Sequence, residues 1–192
     1  MATDLSIYNN KWYKPGGNAV TRSLWYFCNL FVIRNHYNPF SSIRCNVLRL
    51  FGAKIGKKVV IKPGVNVKYP WNLIIGDYTW IGEDVWIDNL DKVVIGKNCC
   101  ISQGAMLLCG NHNFKIPSFD LIVQPVMIED GVWIGAKSTV CPGVTARSHS
   151  VVCVGSVASK EMDSYGIYKG NPAVKVSIRK IDTLEPLPDN KA

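Results

Sequence analysis

From Ile55 onward the chain places an aliphatic residue at nearly every sixth position. Ile55, Ile61 and Val67 form one triplet, Ile75, Ile81 and Ile87 a second, and Ile95, Ile101 and Leu107 a third. Two extra residues separate successive triplets, so the phase returns after 20 residues, and Gly56, Gly76 and Gly96 each follow the first member. After an interruption the beat resumes at Ile128, Ile134, Val140, Ala146, Val152 and Ala158 without a slip. A second apolar or small position stands four residues after the first, at Val59, Val65, Val85, Val132, Val144 and Ser156. A period of six does not match the turn of a helix, about 3.6 residues. It fits a three-sided coil in which each short strand sends one aliphatic side chain inward and then turns, with rungs about 4.8 Å apart. Such coils are stable only when stacked.

The pattern runs from Ile55 to about Lys160 and predicts an all-β fold of about five coils. It resembles the repeat of the hexapeptide-repeat proteins, and the resemblance implies a left-handed parallel β-helix, an exception to right-handed crossovers. The domain reading is an N-terminal helical cap over 1–54, the β-helix over 55–163 with an inserted loop at 111–127, and a short C-terminal extension over 164–192. Within the cap, "NAVTRSLWYFCNLFVIRN" and "SSIRCNVLRLFG" read as two α-helices, the second with a Ser start and a Gly stop. They are placed to cover the open edge of the first coil. The first helix has a broad apolar face, suited to packing or, alternatively, to lying on a membrane surface. The extension, "YGIYKGNPAVKVSIRK", reads as a turn, a short strand or helix and a basic tail.

With 192 residues, 47% of them hydrophobic and 19% charged, the chain is one folded domain with small appendages. Its net charge of +8 raises nucleic-acid binding, but Lys and Arg are dispersed and no aromatic run alternates with them, so no nucleic-acid partner is expected. Small phosphorylated ligands or an anionic membrane surface account for the charge equally well. Seven cysteines, an odd set without CxxC spacing, indicate neither a zinc site nor a disulfide framework. With no signal peptide apparent, the expected location is the cytoplasm, peripheral contact at the inner face of the membrane being left open. The longest apolar stretch, Leu24 to Ile33, is too short to span a bilayer.

The interruption begins at "GNHN". Leu107 plus six is position 113, yet the beat resumes at Ile128, so 15 residues are inserted at one corner. A loop of that length inside a compact repeat is usually functional or disordered. It carries Phe114, Phe119 and Leu121 with Pro117 and Pro125, and is able to pack against a neighbour. His112 stands at its root, either as a surface or capping histidine or as a group that moves protons near neutral pH.

Four segments, "WYKPGGNAVTRSLWY", "VWIDNLDKVVIGKNCCISQGAMLLCGNHNF", "FDLIVQPVMIEDGVWIGAKSTVCPGVT" and "GNPAVKV", resemble in order and spacing the hexapeptide-repeat O-acetyltransferases. The likeness is greatest to colanic-acid-type exopolysaccharide acetyltransferases; galactoside and maltose acetyltransferases are more distant. The resemblance implies transfer of acetyl from acetyl-CoA to a sugar hydroxyl in exopolysaccharide or lipopolysaccharide biosynthesis, without a metal. A base must take the hydroxyl proton, and that proton must reach the departing thiolate; histidine titrates in the range for both. The resemblance assigns this role to His112, and it implies a homotrimer with active sites between neighbours.

It further implies that the amide of Ala136 is the oxyanion donor, that Gly135, Ala136, Val154 and Gly155 wall the cofactor, and that Ser159 and Lys160 meet its nucleotide end. Val174 stands where distant relatives carry an arginine, leaving Lys175, Arg179 or Lys180 as phosphate partners or as solvated surface charges. On the acceptor side, Asp88 and Asn89 in "WIDNLD" are expected at the corner under GNHN, with Ser102, Gln103 and Asn111. Asp88 is read as a sugar ligand, an imidazole orienter or a turn residue. Trp80 and Trp86 either stack on a sugar ring or pack between subunits. A covalent acyl route through Cys109 is the alternative chemistry.

Other readings are a small non-sugar acceptor such as serine, or a trimeric scaffold without chemistry. A γ-type carbonic anhydrase needs three histidines around zinc. The chain offers only His36, His112 and His149, and His36 precedes the coils.

Overall fold

In the computed structural model, which describes residues 2–182, the six-residue beat becomes a parallel β-helix. Its first coil is β1 (Lys54–Ile55), β2 (Val60–Ile61) and β3 (Asn66–Val67); its second is β4 (Leu73–Ile75), β5 (Trp80–Ile81) and β6 (Trp86–Asp88). The third is β7 (Val93–Ile95), β8 (Cys100–Ile101) and β9 (Met106–Leu108). The insertion then contributes β10 (Gly110–His112) and β11 (Leu121–Val123). The fourth coil is β12 (Val126–Ile128), β13 (Trp133–Ile134) and β14 (Thr139–Val140); the fifth is β15 (Thr145–Ala146), β16 (Val151–Val152) and β17 (Val157–Ala158). A sixth coil begins where Met162 bridges Ala146 and β18 (Gly166–Gly170) pairs with β16.

Strand register follows the sequence period. Ile55 pairs with Ile75 and Ile75 with Ile95; Ile61, Ile81 and Ile101 align likewise, as do Val67, Ile87 and Leu107. The insertion leaves the stacking intact, since Ile95 pairs with Ile128, Ile101 with Ile134 and Leu107 with Val140. Every inward position except Ile55 is buried, as are Val59, Val65, Val85, Val132, Val144 and Ser156. These side chains form one continuous core along the axis, which is how short strands hold together.

The corner between the first and second faces repeats one left-handed residue per coil: Lys58, Tyr78, Asn98, Gly131, His149 and Tyr165. His149 is therefore a corner residue, stacked on Tyr165 with ring centroids 4.8 Å apart. His36, on the cap, lies 3.2 Å from Asp84. The three histidines occupy three different places. Among the described residues no group of three or more His, Cys, Asp or Glu could hold a metal ion.

The cap comprises α1 (Ala19–Cys28), continued by a π-helical turn over Asn29–Ile33, and α2 (Ser41–Leu50). Its side chains satisfy the backbone edge of the first coil, which would otherwise be unpaired. Arg49 donates to the carbonyls of Ile55 and Gly56. Ser41 Oγ accepts from Ile61 N–H at 2.8 Å, and the fully buried Arg44 donates to the carbonyls of Ile61, Ile33, Asn35 and Asn38. Trp25 Nε1 donates to the Val67 carbonyl at 3.0 Å. α2 starts at Ser41, as expected, with Phe40 at the capping position, and the Ser41 hydroxyl serves the coil rather than the helix end. Gly52, with φ +94°, follows the end of α2 as expected.

At the other end, β18 and β19 (Ala173–Ile178) form an antiparallel hairpin that extends the second face. Residues 183–192 of the expected C-terminal extension lie outside the described residues, and the stretch read as its basic tail falls in and just after β19.

Candidate active site

The inserted segment is a two-stranded ribbon at its base. Gly110, Asn111 and His112 pair antiparallel with Val123, Ile122 and Leu121. The ribbon holds the backbone of His112, and the loop beyond it turns back to hold the ring. Phe119, in the left-handed region at φ +51°, stacks on the imidazole at 4.5 Å between centroids and 8° between planes. Its carbonyl oxygen lies 2.8 Å from His112 Nδ1. A carbonyl oxygen only accepts, so Nδ1 carries the hydrogen in this bond and Nε2 keeps its lone pair. The bond thereby fixes the tautomer of the neutral imidazole.

His112 opens into a cleft of about 610 Å³ whose walls include Asp88, Lys68, Gly110 and Leu121. Two tyrosines from the N-terminal segment, Tyr8 and Tyr13, close it on one side. Tyr8 approaches the imidazole at 5.9 Å between centroids. Tyr13 donates to the Leu90 carbonyl at 2.7 Å. Burial, with Tyr69, Asp88 and Asp91 nearby, raises the Tyr13 phenol well above its ordinary range, so it stays a neutral donor. The segment is pinned further along by Trp71 Nε1, which donates to the Pro15 carbonyl at 2.7 Å. None of Tyr8, Tyr13 and Lys68 was singled out from the sequence. The only signal was a cluster of aromatics before "PGG" in a stretch without a repeat.

The expected acceptor residues separate into three environments. Asp88 is in the cleft, paired with Lys68 Nζ at 3.0 Å. Asn111 is exposed beside His112, its side chain accepting from the His112 N–H at 2.8 Å. Asn89 does not line the cleft: it is fully buried, and its amide accepts from Tyr69 N–H and donates to the Tyr69 carbonyl. It braces a turn, as the corner geometry of the coil requires. Ser102 and Gln103 are not with His112 either. They follow β8 at the corner between the second and third faces, whereas His112 follows β9 at the next corner.

Ser102 and Gln103 instead share a second cleft, of about 440 Å³, with Trp133, Gly135, Ala136 and Val151 to Val154. Gly135 is demanded by rung spacing: a Cβ there would lie 2.6 Å from the Val152 carbonyl oxygen and 2.7 Å from Val154 N. Gly155 N–H donates to the Ala136 carbonyl at 2.9 Å, locking the two coils in step. Val154 is 71% exposed, and Gly155 faces open space. Four of the expected cofactor residues thus form one open wall of backbone and small side chains. Ser159 and Lys160 are exposed after β17, at the far edge of the third face from that wall. Lys175 is paired with Asp163 at 2.9 Å, and the bond holds that carboxyl below its usual range. Arg179 donates to the carbonyls of Gly131 and His149, so it is engaged in the scaffold. Trp80 and Trp86 are exposed on the second and third faces and neither lines the His112 cleft, although Trp86 shares a neighbouring pocket with Lys68 and Asp88.

Cys109 is fully buried beneath the ribbon, and burial pushes its thiol up to about 11. A thiol so placed is protonated at neutral pH and is a poor nucleophile.

No family model matches the chain. Over 164 residues, 85% of this chain and 90% of the other, it is 37% identical to the Escherichia coli K12 protein named "Putative colanic acid biosynthesis acetyltransferase WcaF". The chain belongs to the hexapeptide-repeat acetyltransferases. Within that family, this acetyltransferase is 27% identical over 147 residues to the galactoside O-acetyltransferase of E. coli K12, covering 72% of this chain and 70% of that one. Among solved structures, a hexapeptide-repeat acetyltransferase of Vibrio cholerae, determined with acetyl-coenzyme A, superposes with a TM-score of 0.76 at 23% identity, covering 84% of this acetyltransferase and 88% of that chain. The fold is thus the left-handed parallel β-helix that the repeat implied, in five complete coils and part of a sixth.

Proposed function

We propose that the chain moves the acetyl group of acetyl-CoA directly to a sugar hydroxyl of an exopolysaccharide or lipopolysaccharide intermediate, with His112 as general base. The observation that carries the reading is the bond from His112 Nδ1–H to the Phe119 carbonyl, which leaves Nε2 free to accept at the cleft. In this mechanism Nε2 takes the hydroxyl proton as the sugar oxygen attacks the thioester carbonyl carbon. The Ala136 N–H receives the charge that develops on the carbonyl oxygen. As the carbon–sulfur bond breaks, the imidazolium returns its proton to the departing thiolate, and His112 is ready for another turnover.

Asp88 and Asn111 are the acceptor ligands in this reading, with Tyr8, Tyr13 and Lys68 completing the cleft. Gly135, Ala136, Val154 and Gly155 hold the pantetheine arm, with Ser159 and Lys160 toward the nucleotide. The two clefts lie at different corners of one coil stack and share no residue. Their separation favours a homotrimer in which His112 of one subunit faces the wall of the next. The presence of a restrained histidine at a cleft favours an enzyme over an inert scaffold.

The test is transfer from labelled acetyl-CoA to a panel of free, nucleotide-linked and lipid-linked sugars, with serine as a control. An alkali-labile acetyl ester on a glycan is the expected product. Acetylation of serine alone, or of none of the acceptors, would overturn the reading.

A further inference from the structure

The outward face of α1 is apolar, although its inward face already supplies the packing. Val20, Leu24, Phe27 and Phe31 recur at helical spacing and are 67%, 56%, 55% and 64% exposed. They lie opposite Trp25 and Asn29, which bond to the first coil. Tyr26, Leu30, Tyr37, Phe40, Ile43 and Leu50 of the cap are exposed as well, and Phe27 stacks on Phe31 and meets Tyr26 edge-on. A helix resting on its own protein normally turns a polar face outward. A contiguous exposed patch of aromatics marks an interaction surface.

Charge identifies the occupant. Between Leu5 and Gly76 the chain carries eleven Lys and Arg and no Asp or Glu. From Asp77 to the end it carries eleven Lys and Arg against thirteen Asp and Glu. The net excess of cations thus lies in the cap and first coil, and the rest of the chain carries a small excess of acids. Of those eleven, Arg44 is buried, while Lys11, Lys14, Arg34, Lys54, Lys57, Lys58 and Lys62 are exposed. Among the described residues no helix is long and apolar enough to cross a membrane. Aromatic and aliphatic side chains on one helix, set in a basic end of the molecule, match an anionic bilayer surface, where the apolar face enters the headgroup boundary and the cations meet lipid phosphates.

We propose that the N-terminal cap is a membrane-docking face, in which Val20, Leu24, Phe27 and Phe31 insert at the surface of an anionic bilayer and the lysines of the cap and first coil hold it there. The inference is independent of the acetyl-transfer reading, because the residues that test it, Phe27, Phe31, Lys57 and Lys58, line neither cleft. It predicts reversible, salt-sensitive peripheral binding, since surface charge acts within about a Debye length, ~10 Å at moderate salt.

The full chain is sedimented with vesicles of phosphatidylglycerol and phosphatidylcholine in equal parts, and with phosphatidylcholine alone. Binding is expected to the first and not the second, and to fall with added salt. The double variant Phe27→Ser, Phe31→Ser should lose about tenfold or more in partitioning, and Lys57→Gln, Lys58→Gln several-fold, near the worth of each cation at the surface. Equal binding by wild type and both variants, or no binding to anionic vesicles, overturns the proposal. So does a drop in the oligomeric mass of the Phe27→Ser, Phe31→Ser variant, which would make this face an interface between copies.

Discussion

His112 and Phe119 hold each other twice, through the Nδ1–H to carbonyl bond of 2.8 Å and through their stacked rings. The backbone bond sets the tautomer, and the ring sets the plane. A residue seven positions away thus sets which nitrogen of the neutral His112 ring carries the hydrogen.

The cofactor wall depends on two glycines for different reasons, and substitution separates them. Gly135→Ala drives a Cβ into the backbone of the coil above and is expected to cost about 1–3 kcal/mol. Gly155→Ala meets nothing within 4 Å and carries only the strain of φ +67°, about 1 kcal/mol. Thermal unfolding of the two variants gives the order, Gly135→Ala the less stable.

Cys109→Ala is expected to keep acetyl transfer within about threefold, because a buried, protonated thiol takes no part in direct transfer. Steady-state rates check this, and trapping of an acetylated Cys109 would contradict it.

Glu129 accepts from Ser148 N–H at 2.8 Å and from Ser148 Oγ at 2.7 Å, tying the fourth coil to the fifth. These bonds hold its carboxyl below the ordinary range. A lowered carboxyl pKa adds stability above its unfolded value, and the gain disappears as pH falls through the folded value. Glu129→Gln should therefore be less stable than wild type near neutrality, by about 0.5 kcal/mol for a group only partly buried, and the gap should close in acid. Denaturant titrations at several pH values measure both limbs.

If the base and the wall come from different subunits, two inactive variants should complement. His112→Ala keeps the wall, and Ala136→Trp keeps the base while filling the wall. Unfolded together and refolded, they are expected to recover a fraction of wild-type rate, whereas either alone stays inactive. No recovery in confirmed mixed oligomers would place both groups in one subunit.

The coil stack was legible because each inward position is a separate aliphatic residue on a fixed period. Ile55 to Ala158 needed no tertiary information beyond that count. The site was legible only where it interrupts the period, which is why His112 and Asp88 were found together. Tyr8 and Tyr13 were not, since they reach the cleft along a segment with no repeat. Ser102 and Gln103 line a different cleft of the subunit from His112, because counting coils gives height along the axis, while the corner decides the face. Asn89 was misread for a related reason: an Asn at a corner serves the backbone as readily as it serves a ligand.

The most direct test of the central claim is the rate of acetyl transfer by His112→Ala, measured with the oligomeric mass and far-ultraviolet spectrum of the same sample. Loss of general-base catalysis predicts a fall in kcat/KM of about a hundred- to ten-thousand-fold with assembly unchanged. Activity within about threefold of wild type would contradict it.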